Sequence, residues 1–151
     1  MRVEQIEEKK IYGFVTRTKN ANEMNPSTSK IAKVWQEFDK KVEVDYRGGE
    51  RVYGAYYNYE SDANGEFDVL AGYEIANDAL ESVTLQKGKY LVFHKEFEET
   101  DNKTRINAII ETWGRVWEYF LDENSEHKRA YGTDFEYYKG LHEIEIYISI
   151  I

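Results

Sequence analysis

Cysteine is absent from this 151-residue chain. Its absence removes disulfides, thiolate zinc ligands and thiol nucleophiles together. Proline occurs once, at Pro26, and no stretch is rich in Gly, Ser or Pro. With no linker to divide it, the chain is expected to form one domain over residues 1–151. No apolar run is long enough to cross a bilayer. The opening segment Met1-Arg2-Val3-Glu4-Gln5-Ile6-Glu7-Glu8 carries too many charges for a secretory signal. A cytoplasmic protein without a membrane partner is expected. Positive charge is also scarce: 20 Lys and Arg stand against 29 Asp and Glu, a net charge of −9. The basic residues group only as Lys9-Lys10, Lys40-Lys41 and Lys128-Arg129. Without a cluster to displace counterions, direct nucleic-acid binding is not expected.

Aromatic residues are abundant, with 13 Tyr, 7 Phe and 3 Trp. Tyrosine has an apolar body and a hydroxyl that needs a partner when buried. So many of them fit either pleated sheet surfaces or the wall of a pocket. Two segments have helical spacing. After Pro26-Ser27-Thr28-Ser29, which can cap free amides, Ile31, Val34, Trp35, Phe38 and Val42 recur on one side. After Thr100-Asp101-Asn102, a broad stripe runs through Ile106, Ile109, Ile110, Trp113, Val116, Trp117, Phe120 and Leu121. The remainder reads as strands. Arg51 to Tyr59 alternates, Asp62-Ala63-Asn64-Gly65 supplies a turn that tolerates positive φ, and Phe67 to Ile75 returns. Val83–Leu85 and Lys89–Phe93 form a strand pair or one bent strand. Ile144, Ile146, Ile148 and Ile150 share one face of the last strand, and Glu143, Glu145, Tyr147 and Ser149 share the other.

The chain also repeats itself. A slide of 78 residues lays Tyr12 on Tyr90, Val15 on Phe93, Ile31 on Ile109, Trp35 on Trp113, Phe38 on Val116 and Val42 on Phe120. A slide of 76 lays Tyr59-Glu60 on Phe135-Glu136. Each half, about 1–77 and 78–151, then reads strand, helix, hairpin. The expected fold is α+β: duplicated β-α-β-β units forming one antiparallel-rich sheet, two helices on one face, and a pseudo-twofold axis flanked by the two hairpins. The junction of two such halves is a common place for a ligand cleft.

Chemistry-bearing motifs are few. His94, His127 and His142 are far apart in sequence. His94 and Glu96 can share a strand face, but no third ligand can be named, so no metal site is expected, and no cofactor. There is no nucleophile elbow and no phosphate-cradling loop. The carboxylates among aromatics are more informative: Glu60 after Tyr59, Glu136 between Phe135 and Tyr137, and Glu145 beside Tyr147. A carboxylate partly removed from water is costly unless paired, and aromatic faces attract the same cation it does. The plain alternative for each is a solvent-facing strand position.

The segments Val52-Tyr53-Gly54-Ala55-Tyr56-Tyr57-Asn58-Tyr59-Glu60-Ser61-Asp62, Gly65-Glu66-Phe67-Asp68-Val69 and Gly72-Tyr73-Glu74-Ile75 resemble the GyrI-like, or transcription-activator effector-binding, family. So does the ending Asp134-Phe135-Glu136-Tyr137-Tyr138 with Glu143-Ile144-Glu145-Ile146-Tyr147-Ile148-Ser149-Ile150. The resemblance covers essentially the whole chain. It implies a duplicated fold with a small-molecule ligand between the halves, cationic amphipathic drugs included. It also implies Glu136 as the counter-charge. Tyr57, Tyr59, Tyr73, Trp113, Tyr137, Tyr147 and Glu145 are further candidates for the ligand-binding wall. With its first strand almost at Met1, the chain looks like a stand-alone member, similar to effector-binding proteins of mobile cassettes and to gyrase-inhibitory relatives. The first functional expectation is a binding module for a small organic cation. The rival is a hydrolase, with Glu136 as base and Tyr147 as its partner. A third is contact with a protein, a homodimer included.

Overall fold

A computed structural model describes all residues, Met1–Ile151. Eight strands and three helices occur in the order β1 (Arg2–Ile6), β2 (Lys9–Thr18), α1 (Asn20–Glu23), α2 (Ile31–Lys41), β3 (Val52–Tyr57), β4 (Phe67–Tyr73), β5 (Glu81–Leu85), β6 (Gly88–Glu96), α3 (Asn102–Leu121), β7 (Asp134–Gly140) and β8 (Glu143–Ser149). The strands form one antiparallel sheet, ordered β1-β6-β8-β7-β3-β4-β2-β5. Its centre is the pair β3–β7, and each half mirrors the other outward from there, as the repeat predicts.

The duplication is more intimate than two β-α-β-β units. Each half begins with an additional strand, β1 or β5, and each donates it to the other half. β1 pairs with β6, and β5 pairs with β2. Only Glu7-Glu8 links β1 to β2, although six strand positions separate them in the sheet. In a flat sheet that is about 29 Å, whereas the link from Ile6 to Lys9 reaches about 10 Å. The sheet must therefore curl until its ends meet. The link Gln86-Lys87 imposes the same closure from the other side. Val83–Leu85 and Lys89–Phe93 are accordingly two strands, but they do not pair with each other. Gly13 faces Gly72 across β2–β4. A Cβ on Gly13 would lie 1.9 Å from the Ala71 carbonyl oxygen, so only glycine allows the backbones this close approach at the bend.

Curling divides the side chains into an inner and an outer set. Ile11, Tyr53, Ala55, Leu70, Leu85, Tyr90, Val92, Phe135 and Tyr147 pack together inside. On the outer face, α2 lays Val34 and Phe38 over Val52, Ala71 and Tyr73. There α3 covers Leu91, Phe93, Ile146 and Ile148 with Val116, flanked by Trp113, Tyr119 and Phe120. Both helices thus sit on one face, each on its own half.

Local signals depart from expectation at four places. The Ser/Thr run does not cap α2; Glu23, brought back by the short α1, accepts from the amides of Lys30 (2.9 Å) and Ile31 (3.1 Å). Asp101 does cap α3, accepting from the Thr104 amide at 2.9 Å. The α3 stripe is wider than the sheet needs, and Ile106, Ile110, Trp117 and Leu121 remain exposed. In the first hairpin, Gly65 is not at positive φ; Asn58 is, at 52°. Finally, Glu60 lies in the exposed connection between β3 and β4 rather than on a strand, so it is not the counterpart of Glu136.

Candidate functional site

Three carboxylates are buried: Asp134, Glu136 and Glu145. Their strand positions decide what each meets. Asp134, Glu136 and Tyr138 alternate on the outer, helix-bearing face of β7, while Phe135 and Tyr137 point inward. Glu136 sits at the pseudo-twofold junction, paired across β3–β7 with Gly54. A Cβ on Gly54 would lie 2.8 Å from Glu136 Oε1 and 3.1 Å from Trp35 Cζ2. The missing side chain is the space the carboxylate and the indole occupy.

Glu136 is 2% exposed. Its Oε2 accepts from the Tyr56 hydroxyl at 2.8 Å and from Trp113 Nε1 at 2.7 Å. Its Oε1 accepts from the Tyr138 hydroxyl at 2.8 Å. All three donors are neutral, and no Lys, Arg or His lies within ion-pair distance of this carboxylate, while Asp134 and Glu145 both have such partners. Burial pushes the Glu136 carboxyl up from its ordinary value, and the three hydrogen bonds oppose that shift. Burial also raises the Tyr56 and Tyr138 hydroxyls, with the Glu136 charge adding to it, so both remain donors.

Aromatic rings enclose the site. Trp35 from α2 meets Tyr138 edge-on at 5.3 Å, and Trp113 from α3 meets Tyr56 at 5.0 Å. These are the tryptophans that the 78-residue slide superimposes, and one from each half flanks the central acid. Two surface hollows lie away from it, along Asp39–Tyr46 and between the end of β6 and the β7–β8 turn. The Glu136 site is closed, but Trp35, Trp113 and Tyr138 are only half-buried, and α2 and α3 pack on the sheet rather than on each other.

The residues expected to form one wall belong to several places. Glu136 and Trp113 are together. Tyr59 instead donates to Asp134 at 2.6 Å, and Tyr73 is core beneath α2, edge-on to Phe38 at 5.6 Å. Tyr57, Tyr137 and Tyr147 are on the inner face; Tyr137 stacks on Tyr53 and Tyr147 on Phe135. Glu145 is on that face too, bound by Arg2 at 2.8 Å and by the Tyr147 hydroxyl at 3.0 Å. Burial alone would raise the Glu145 carboxyl, but these partners hold it below its usual value. A joint role for Glu136 and Tyr147 in hydrolysis is therefore corrected: the thickness of the sheet separates them. Sequence reasoning missed Tyr56, Tyr138 and Trp35. The strand parity of Glu136 points to Tyr138, and the tryptophan match of the repeat points to Trp35.

Compared with known proteins, residues 2–150 match the family model Cass2, described as integron-associated effector binding protein. The chain belongs to the Cass2 family. A Vibrio cholerae integron cassette protein, VCH_CASS2, is 36% identical, with a TM-score of 0.83 over 99% of this chain and 95% of its own. A putative transcription regulation protein from Staphylococcus aureus MU50 shares the fold at 16% identity and a TM-score of 0.67, covering 99% and 96% of the two chains. SAV2435, in a structure bound to tetraphenylphosphonium, shares it at 15% identity and a TM-score of 0.64, covering 99% and 93%. No curated protein matches the chain. The Cass2 fold is thus the GyrI-like duplicated sheet, and the family is one of effector-binding proteins. No helix is long and apolar enough to cross a membrane.

Proposed function

We propose that this chain captures an organic cation of aromatic or amphipathic character over Glu136, between α2 and α3. One observation carries the reading: Glu136 is the buried carboxylate that the chain supplies with hydrogen bonds but not with a positive charge. Removing an ion from water costs several kcal/mol. Hydrogen bonds to a charged group return about 1.5–3 kcal/mol each. Three of them therefore hold the carboxylate in place, yet they leave its charge uncompensated. A cation completes the balance, and each aromatic face it meets adds roughly 0.5–2 kcal/mol.

Because the rings cover the carboxylate, binding requires Trp35 or Trp113 to swing aside and then stack on the guest. Their half-buried positions support that motion. A cation with apolar flanks replaces the ring contacts that are lost, whereas a small hydrated ion does not. The tetraphenylphosphonium on SAV2435 is a cation of this kind and a natural probe.

The test is titration of the protein with tetraphenylphosphonium, read by tryptophan fluorescence. Saturable quenching or a spectral shift is expected. Glu136→Gln is expected to weaken binding about tenfold or more, the worth of a charge-assisted contact. Equal affinity in that variant sinks the reading. Affinity is also expected to rise with pH, because the cation needs the ionised carboxylate. The rise falls above pH 4.5, since the Glu136 carboxyl is shifted upward from that value.

A further inference from the structure

On the inner face, at the far end of the β6–β8 pair, His94 stands among three carboxylates. The register sets Glu96 of β6 directly opposite Glu143 of β8, and His94 opposite Glu145. Like charges facing each other across a ladder are destabilising. Neither Glu96 nor Glu143 has a Lys or Arg within ion-pair distance; His94 is the only basic side chain each approaches. His94 Nε2 is itself buried and makes no hydrogen bond. A facing acid pair and an idle ring nitrogen at one point are two faults that a single cation corrects.

We infer that His94, Glu96 and Glu143 form a binding site for a divalent transition-metal ion, with Zn²⁺ the best match. The spacing supports it. Bonds of about 2.0–2.1 Å in a tetrahedral shell place ligand atoms about 3.3–3.4 Å apart. His94 Nε2 is 3.3 Å from Glu143 Oε2 and 3.7 Å from Glu96 Oε1. One ligand atom from each of the three lies within 4.8 Å of the others. Glu96 is exposed and free to close the remaining gap. Imidazole with carboxylates suits Zn²⁺, Co²⁺ and Ni²⁺ rather than Mg²⁺ or Ca²⁺, which prefer oxygen alone.

Glu145 orients the ring. Its Oε2 lies 3.3 Å from His94 Nδ1, and this negative charge favours the tautomer with the proton on that nitrogen, which leaves the Nε2 lone pair toward Glu96 and Glu143. A carboxylate behind a metal-binding histidine is the usual way its tautomer is set. Glu145 is held in turn by Arg2 and Tyr147, so this support is rigid. The three ligands leave coordination positions for water. The site lies across the sheet from Glu136, and neither assignment depends on the other.

The experiment is competition for Zn²⁺ between the metal-free protein and a chromophoric chelator. One ion per chain is expected. His94→Asn and Glu143→Gln are each expected to lose it, while His127→Asn and His142→Asn keep it. As a measurement free of any folding defect, histidine ring resonances are followed in wild-type protein. Zn²⁺ is expected to move the His94 signals alone, and the ring ¹⁵N shifts without metal are expected to report Nδ1 as protonated. No uptake by wild-type protein overturns the inference. So does undiminished uptake by His94→Asn, or a response confined to His127 or His142.

Discussion

Asp134 and Glu136 lie two residues apart on one strand, face the same helices and are equally hidden, yet the chain treats them in opposite ways. Asp134 receives its own cation. Arg129 reaches it at 2.8 Å, and that guanidinium lies over the rings of Tyr131 and Tyr59, with centroids 4.4 and 5.6 Å away. Ser149 adds its amide at 2.7 Å and its hydroxyl at 2.9 Å. A carboxylate, a planar organic cation and two aromatic faces are therefore already assembled inside this protein. Glu136 has the carboxylate and the rings without the cation. The first site teaches what the second lacks, and under the proposed function the guanidinium is the pattern for the guest of the second.

The contrast is broken most severely at Asp134. Asp134→Ala leaves Arg129 buried without a counter-charge, and breaking such a pair costs about 3–5 kcal/mol. A matching fall in the chemical denaturation midpoint, with unchanged slope, is expected. Glu136→Gln is expected to do the reverse. An amide fits the same space; its carbonyl accepts from Tyr56 and Trp113, and its NH₂ donates to the Tyr138 hydroxyl. No uncompensated buried charge then remains at this position. Because the folded Glu136 carboxyl is raised, folding favours its protonated form. That stabilisation is complete below the unfolded value near 4.5 and is lost as pH rises through the folded value. The stability advantage of Glu136→Gln over wild type is expected to grow across that window and then level off. A variant that loses binding while gaining stability identifies a group kept for function rather than for the fold.

The next effect in size belongs to Gly54. Gly54→Ala places a methyl 2.8 Å from Glu136 Oε1, and overpacking of this kind costs about 1–3 kcal/mol. In a Glu136→Ala background the carboxylate half of the clash is gone, so the cost is expected to shrink. A double-mutant cycle by denaturation measures the coupling. Additive effects would mean that the glycine serves Trp35 or the sheet rather than the acid.

Much of this was readable beforehand, for physical reasons. The alternating Ile144, Ile146 and Ile148, the helical spacing over Ile31–Phe38 and the repeat of elements together dictate the outer face and the central hairpins. Glu136 and Trp113 both stand out in the sequence as candidates for the wall, but that they bond to each other is visible only in the structure. The exchange of β1 and β5 was not, because strand periodicity says which face a residue takes but not which neighbour its edge pairs with. The cap by Glu23 was hidden because it arrives from seven residues upstream of the Lys30 amide it binds. The nine-residue stretch 58–66 lengthens the first hairpin relative to the second and shifts the apparent repeat, which misaligned Glu60 with Glu136. The third ligand beside His94 and Glu96 was invisible for the same reason as the strand exchange: only the β6–β8 register brings Glu143 there.

The smallest effect tests parity itself. The sequence points to Tyr57 and Tyr137, whereas Tyr56 and Tyr138 are the ones that reach Glu136, a difference of one residue that transfers a side chain to the other face of the sheet. Tyr138→Phe and Tyr137→Phe each delete one oxygen atom from adjacent positions. The first removes a donor that lowers the Glu136 carboxyl, so that carboxyl is expected to rise further and the pH dependence of cation binding to move upward. Affinity near neutral pH is expected to fall roughly two- to tenfold, following a net hydrogen-bond worth of about 0.5–1.5 kcal/mol. The second alters a ring stacked on Tyr53 inside the curl, which cannot sense charge at Glu136 through the sheet as directly. It is expected to leave both the affinity and its pH profile unchanged. If the two variants behave alike, the guest is not on the helix face, and the uncompensated charge of Glu136 serves something other than binding.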